Sequence, residues 1–368
     1  MNSEIKKVSF NKEGGCDFTS VLRSRINLYF KDSEISPKAN LPMYAKSIFL
    51  MSLAALTYAA LLSNLGGGLV IFGLYVLLSF LTSIGTMNIA HDALHGAYLS
   101  RSVGNRILGF LMDLFGASSF YWKKEHTVDH HTFTNIAEHD ADLDVPILLR
   151  LCPKAPHRSF HRFQHWYAPL LYCLNLMHWV YFSDLKRIYQ VFKDKQSGPG
   201  KPSKLEVFLM IAFKMIHVFM FLVVPIMLLP VSWWQVVLGY IGFLAMAGIT
   251  LTTVFQLAHI VENVAFPLPN EEGKMQNSFA KHQLDTTSNF AIKNRLVHFL
   301  FGGLNFQIEH HLFPHICHAH LHKISPIVES TAKEFGLPYN QNHSFFSAIK
   351  SHFKTLKRLG RSDSLKLP

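Results

Sequence analysis

The stretch "GGLVIFGLYVLLSFLTSIGTMNIAHDALH", residues 67–95, decides the architecture. From Gly67 to Ala90 it carries no charged side chain, and two histidines four residues apart, His91 and His95, follow at once. A helix rises 1.5 Å per residue and needs about 20 apolar residues to cross the hydrocarbon core of a bilayer. The run is long enough to do so, and it puts both histidines where such a helix would leave the membrane.

Three more runs share the property, at about 47–64, 207–230 and 232–258, and Lys214 is the only charge inside the four. They account for the composition. Of 368 residues 49% are hydrophobic, 31 are Phe, and 16% are charged, against roughly a quarter in soluble domains. Length without charge excludes soluble core helices. The first 45 residues are polar and mixed in charge, with no cleavable signal pattern.

Basic residues give the topology. The turns joining the first two runs (Leu65 to Gly68) and the last two (around Pro230 and Val231) contain no Lys or Arg. Apart from Lys214, every Lys and Arg lies in the N-terminal segment, the 91–205 loop or the C-terminal part. The positive-inside rule puts both chain ends and the long loop in the cytoplasm. The expectation is an all-α membrane protein with four transmembrane helices in two hairpins and a cytoplasmic helical cap holding a di-metal site. Residues 1–45 form an N-terminal segment, 46–262 the hairpins with loop 91–205, and 263–368 the rest of the cap and a tail. In cellular terms this is a multi-pass protein of the cell membrane in a bacterium or of the endoplasmic reticulum in a eukaryote. The net charge of +11 reflects topology, and no basic stripe with interleaved aromatics points to nucleic acid. Cys16, Cys152, Cys173 and Cys317 are scattered without a CxxC pair, so no disulfides are expected in a reducing compartment.

Shorter apolar stretches at 105–120 and 166–183 suit helices in or on the cytoplasmic leaflet. Residues 194–204 (DKQSGPGKPSK) suit a linker. The basic stretch after Lys350 reads as a frayed tail.

Histidines cluster three times: "HDALH" (His91, His95), "EHTVDHH" (His126, His130, His131) and "QIEHH" (Gln307, His310, His311). His259 stands alone in "FQLAHIVE", at the end of the fourth run. The topology brings all eight to one side of the membrane. Neutral imidazole suits iron, zinc and copper, and helical i,i+4 pairs present two nitrogens to one ion. Eight are too many for one ion and fit two. Soluble di-iron proteins use Glu-x-x-His pairs, and none occurs in this chain. Spacing does not choose between iron and zinc. Other histidines read as structural. His157, His161 and His165 suit an amphipathic surface helix. His178 and His217 are packed or interfacial, and His315, His318, His320 and His322 lie before and in a helix after Pro314. His139 and His282 are candidates to support ligands or line a pocket.

The three boxes, with "HHTFTN", "EHDADLD", "FQLAHIVE" and "GGLNFQIEHHLFP", resemble the integral-membrane fatty acid desaturases over most of the chain. The resemblance implies a fatty acyl substrate and two iron ions in a non-haem di-iron centre. That centre would activate dioxygen to remove two hydrogens from a methylene pair and leave a cis double bond. By motif match, the metal ligands fall on His91, His95, His126, His130, His131, His259, His310 and His311. The glutamine-led third box is shared with the front-end (delta-5/delta-6) subgroup, which makes Gln307 a weak ligand or a hydrogen-bonding support. Asp92, Asp129, Glu309, Asp140, Glu262 and His282 are candidates to orient imidazoles, and Asn305 to hold a metal-bound water. Trp122, Lys123 and Lys124 are candidates to meet an anionic head group. The chain has no His-Pro-Gly-Gly haem motif and no GxGxxG, so the expected electron donor is external, a ferredoxin or a cytochrome b5 with its reductase. The resemblance leaves the acyl carrier open among CoA, a phospholipid and a carrier protein. The alternatives weighed are a membrane hydroxylase or ketolase of lipids or hydrocarbons, a zinc-dependent membrane hydrolase and, last, a metal transporter.

Overall fold

A computed structural model describes residues 8–11, 17–143, 147–193 and 201–361. Apart from two short strands, Asn289–Phe290 and Gln341–Asn342, which pair in parallel, and one isolated bridge, its regular structure is helical. The chain divides into two compact units. The span unit comprises Asn40–Lys124 and Pro169–Thr253; the histidine unit comprises Met1–Ala39, Glu125–Ala168 and Val254–Pro368.

Four helices are long and apolar enough to cross a membrane: Leu41–Leu62, Gly68–Leu94, Lys204–Leu228 and Trp233–His259, hereafter spans one to four. Span one begins upstream of its apolar run. Asn40 caps it by accepting from the Met43 amide, with Pro42 in the first turn, and Lys46 had masked this extension. Span three starts at a capping box between Ser203 and Glu206. The proposed linker ends there, and its residues 194–200 lie outside the described ones.

The spans are not regular throughout. Span three contains a π-helical turn, Phe219–Val223, just before Pro225. Proline has no N–H, and its ring displaces the carbonyl four residues back, here that of Phe221. Tyr75 of span two donates to this carbonyl at 2.8 Å, and Tyr58 of span one to the adjacent Met220 carbonyl at 2.7 Å. The bulge therefore leaves neither oxygen bare in an apolar surrounding. Span four approaches closely through glycine. Gly239 lies against the Tyr75 ring and Gly248 against the backbone carbonyls of Tyr172 and Cys173.

Lys214 of span three is held by the Asp184 carboxylate at 2.9 Å and by the carbonyls of Gly116 and Val180 at 2.9 and 3.0 Å. Asp184 is fully buried and also accepts from the Ser118 amide. Buried charge in such a setting persists only when paired. The 166–183 stretch belongs to a longer helical run, Gln164–His178, Trp179–Ser183 and Asp184–Lys193. His217 is packed, bonded to the Leu114 carbonyl and the Tyr240 hydroxyl.

The core of the histidine unit packs Phe18, Leu22 and Ile26 of helix Phe18–Asp32 with Ile324, Val328 and Ala332 of helix Leu321–Glu334, together with Leu284, Ile308 and Phe313. Two expectations are corrected here. The stretch after Lys350 continues an ordered helix, Phe345–Leu359, capped by a Ser344–Ser347 box and burying Leu356 and Leu359. Its amphipathic spacing outweighs its basic composition, and only residues 362–368 lie outside the described ones. His161 is not on a surface helix. It sits in a 3₁₀ turn, Ser159–Phe163, is 1% exposed, and its Nε2 donates to the Ile147 carbonyl at 2.7 Å.

Candidate metal centre

Each histidine cluster is positioned by local backbone. In the span unit, span two passes through a π turn, Thr86–Ala90, into His91–Leu94. The His91 and His95 rings lie 4.7 Å apart, both against Trp122. Asp92 Oδ1 is 3.5 Å from His91 Nδ1.

In the histidine unit, the second cluster lies on a π-helix, Lys123–His130, running into His131–Phe133. The wider turn aligns residues five apart. His126 Nε2 and His131 Nε2 accordingly approach to 3.3 Å, an arrangement the i,i+4 rule does not anticipate. The third cluster lies on the short helix Gln307–Leu312, whose Ile308 amide is capped by Asn289 Oδ1 at 2.9 Å. His259 closes span four.

Six predicted ligands meet in this unit: His126, His130, His131, His259, His310 and His311, all buried. The rings of His130, His259 and His311 form a near-regular triangle with centroids 4.7, 4.7 and 5.1 Å apart. Their ligand atoms lie within 4.8 Å of one another. The His131 ring stacks on His311 at 4.2 Å and meets His310 edge-on at 4.6 Å.

The triangle passes a direct test of fit to a metal. Each of its three rings spends Nδ1 on an acceptor: His130 on Asp140 Oδ1 at 3.0 Å, His259 on the Thr286 carbonyl at 3.3 Å, His311 on Gln283 Oε1 at 2.9 Å. A carboxylate or carbonyl oxygen only accepts, so Nδ1 carries a proton in each ring and Nε2 is the nitrogen left to face a metal. All three Nε2 atoms are buried without a hydrogen-bond partner among the described residues. Leaving one polar atom so costs about 1–3 kcal/mol. Three converging nitrogens in this state are what a metal ion would satisfy.

Electrostatics differ among the rings. Burial works against charge on both His130 and Asp140, but their attraction outweighs it, lifting His130 to about 9 and holding Asp140 below the usual carboxylate range, so a metal binding at His130 Nε2 would displace a proton from it. Asp140 also accepts from the Asn135 and Asp142 amides at 2.8 and 3.0 Å. Burial, reinforced by the surrounding imidazoles, pushes His311 well below its ordinary value and keeps it neutral, as a ligand must be.

Other candidates are placed as follows. Gln307 is 1% exposed and its Nε2 has no partner among the described residues. Asn305 is buried, with Nδ2 3.4 Å from the Ala291 carbonyl. Glu309 accepts from Asn289 Nδ2 at 2.8 Å and the Tyr339 hydroxyl at 2.7 Å, and burial raises it to about 7. Those bonds anchor the helix that carries the third cluster. Asp129 is half-buried. Glu262 is at the surface, paired with Lys354 at 3.4 Å. His282 is buried and donates Nε2–H to the Thr134 carbonyl at 2.8 Å. His139 lies 3.3 Å from the Ala137 carbonyl. Sequence reasoning missed Gln283, Thr134, Asn135 and the Thr286 carbonyl, which carry no box-like spacing.

Residues 38–343 match the sequence profile described as Fatty acid desaturase. The chain belongs to the fatty acid desaturase family. It is 34% identical to an sn-1 linoleoyl-lipid 6-desaturase of Arthrospira platensis over 98% of this chain and 96% of the relative. It is equally similar, at 34%, to an acyl-lipid (8-3)-desaturase of Physcomitrium patens over 94% of this chain and 72% of the relative. A probable Delta(5) fatty acid desaturase C of Dictyostelium discoideum is 29% identical over 94% and 77%. The protein is a membrane fatty acyl desaturase, hence an oxidoreductase, and the hydroxylase and hydrolase alternatives are not favoured. The histidine clusters of this desaturase fit a metal site.

Proposed function

We propose that this desaturase holds two iron ions through His91, His95, His126, His130, His131, His259, His310 and His311. It inserts a cis double bond on the carboxyl side of an existing one in the acyl chain of a membrane lipid. The observation that carries the metal reading is the set of three buried Nε2 atoms on His130, His259 and His311, each freed by a committed Nδ1. An all-imidazole set suits iron in redox chemistry. The paired His126 and His131 Nε2 atoms and the His91–His95 pair supply the further donors a second ion needs. The lipid carrier and front-end position are supported by relatives named linoleoyl-lipid 6-desaturase and acyl-lipid (8-3)-desaturase, and by glutamine at position 307.

When bound, the irons supply dioxygen activation and the oxidising power to take hydrogen from an unactivated methylene. The chain's residues do the rest. Asp140, Gln283 and the Thr286 carbonyl hold three rings in the ligating tautomer. Burial of all six histidines in the histidine unit keeps bulk water from the site. Gln307, with a buried amide and no charge, is a weak neutral donor or orients a ligand. Electrons come from a separate donor, a ferredoxin or cytochrome b5. Both chain ends and the histidines face the cytoplasm, in keeping with the charge-free turns between paired spans.

The test is expression with a proven donor in a host that makes no polyunsaturated lipids but is fed candidate acyl chains. The expected result is a product two mass units lighter, with the new bond nearer the carboxyl end. No product from any acyl chain, or an oxygenated product, would contradict the reading.

A further inference from the structure

We infer that Gln283 is a positioning residue of the metal centre, fixing the ligating tautomer of His311. This inference rests on the metal site proposed above. The amide's own orientation comes first. Gln283 Nε2 donates to the His131 backbone carbonyl at 3.1 Å, and that oxygen can only accept. The orientation of the amide is thereby set, and Oε1 is the atom facing His311 Nδ1 at 2.9 Å. The Thr134 hydroxyl, 3.1 Å from the same Oε1, donates its one proton to the His130 carbonyl at 2.7 Å, so it does not compete with His311 for Oε1. With Oε1 able only to accept, His311 must carry its proton on Nδ1 and offer Nε2 outward. The side chain is fully buried, so no water substitutes for these bonds.

Gln283 also ties together parts of the centre that are distant in sequence. It sits on helix Phe279–Thr286, which contains no histidine box. Thr286, at the end of this helix, gives its carbonyl to His259 Nδ1. His282, beside Gln283, binds the Thr134 carbonyl immediately after the second box. One short helix thus orients two of the three triangle rings and the backbone that follows the second cluster. Gln283 is the side chain on it that bonds a ring of the triangle. A neutral amide here, against a carboxylate at His130, makes the two ligands unequal donors to the same ion.

The test uses the full-length chain in detergent, loaded with Fe(II), and compares wild type, Gln283→Leu and Gln283→Glu. Leucine removes both bonds at similar volume; glutamate keeps an acceptor for His311 Nδ1. Chelator competition reads the affinity of each bound equivalent, and thermal melting of the metal-free protein checks the fold. The expected result is about a 10–100-fold weaker affinity for one equivalent in Gln283→Leu. The second equivalent stays near wild type, while the metal-free protein melts lower because the buried His131 carbonyl and His311 Nδ1 lose their partner. Gln283→Glu should recover part of the affinity, since its second oxygen now opposes the His131 carbonyl, and shift the reduction potential of the centre downward, because a charged partner makes His311 a stronger donor. Wild-type affinity for both equivalents in Gln283→Leu would overturn the inference. So would equal loss of both, or a Gln283→Glu variant no better than leucine, since either result describes a general structural role. A wild-type protein that binds no iron would instead overturn the site reading on which the inference rests.

Discussion

Replacing Asp140 separates the metal reading from a purely structural one. Its Oδ1 accepts from His130 Nδ1 and the Asp142 amide, and its Oδ2 from the Asn135 amide. Asparagine offers one oxygen. With the oxygen at the Oδ1 position, the new NH₂ opposes a single donor, Asn135 N–H. The reverse orientation opposes two. The first is favoured, so Asp140→Asn keeps the His130 tautomer, loses the charge and orphans one amide. An orphaned buried donor costs about 1–3 kcal/mol. Alanine removes both acceptor oxygens and all three bonds, and also releases the tautomer. The expected order of iron affinity is wild type, then Asp140→Asn at about tenfold weaker, then Asp140→Ala at about 100-fold weaker, the two ends of the range for such partners. Each tenfold step corresponds to about 1.4 kcal/mol. Chelator competition on purified protein, with iron counted by mass spectrometry, measures the series. Equal iron affinity in all three proteins, alongside a lowered melting temperature in the variants, would refute the reasoning, because Asp140 would then serve the fold and not the ligand.

Single His→Ala changes at each of the eight proposed ligands should abolish product in the expression assay, whereas His157→Ala should not. His157 stands apart from the metal site, with Nε2 2.9 Å from the Gly360 carbonyl. Gly248→Ala in span four would bring a Cβ to 2.5 Å from the Tyr172 carbonyl oxygen and 2.9 Å from that of Cys173. Backbone cannot step aside as a side chain can, so membrane accumulation and melting temperature should fall by the equivalent of about 1–3 kcal/mol. Asp113 gives a pH-dependent case. Burial raises its carboxyl from 3.8 to about 6, and its Oδ2 has no partner among the described residues. Below pH 3.8 both folded and unfolded states are protonated and nothing is lost. As pH rises toward 6 the unfolded carboxyl ionises first, so native stability declines across that window by roughly 3 kcal/mol and stays reduced above it. Asp113→Asn keeps an oxygen for the Ser119 amide. It should melt higher than wild type at about pH 7.5 and show no advantage at about pH 4, on either side of that window; an unchanged melting temperature at both would contradict the assignment.

The spans and the histidine clusters are legible in sequence because their signals are local. Apolar length marks the four spans, and boxes such as "HTVDHH" mark imidazole clusters. What was hidden depends on pairing across distance. The bond from Gln283 to His131 crosses 152 residues, and the Tyr75 bond that satisfies the Pro225 bulge crosses 146. No window of sequence contains either partner with the other. The π turn that brings His126 and His131 together replaces the usual helical spacing with one five residues long. The helix Phe345–Leu359 was obscured for another reason. Its exposed face is so basic that composition hides the apolar face buried by Ala348, Leu356 and Leu359. Asp140 was legible as a neighbour of the second box, but the sequence alone did not distinguish it from Asp129, which is only half-buried.

Counting and identifying the metal in the purified, full-length chain tests the central claim most directly. Iron-supplemented expression followed by elemental analysis should give two irons per chain, lost in proportion when His130, His259 or His311 is changed to alanine. A single zinc, or no metal in a folded protein that still makes unsaturated product, would contradict it.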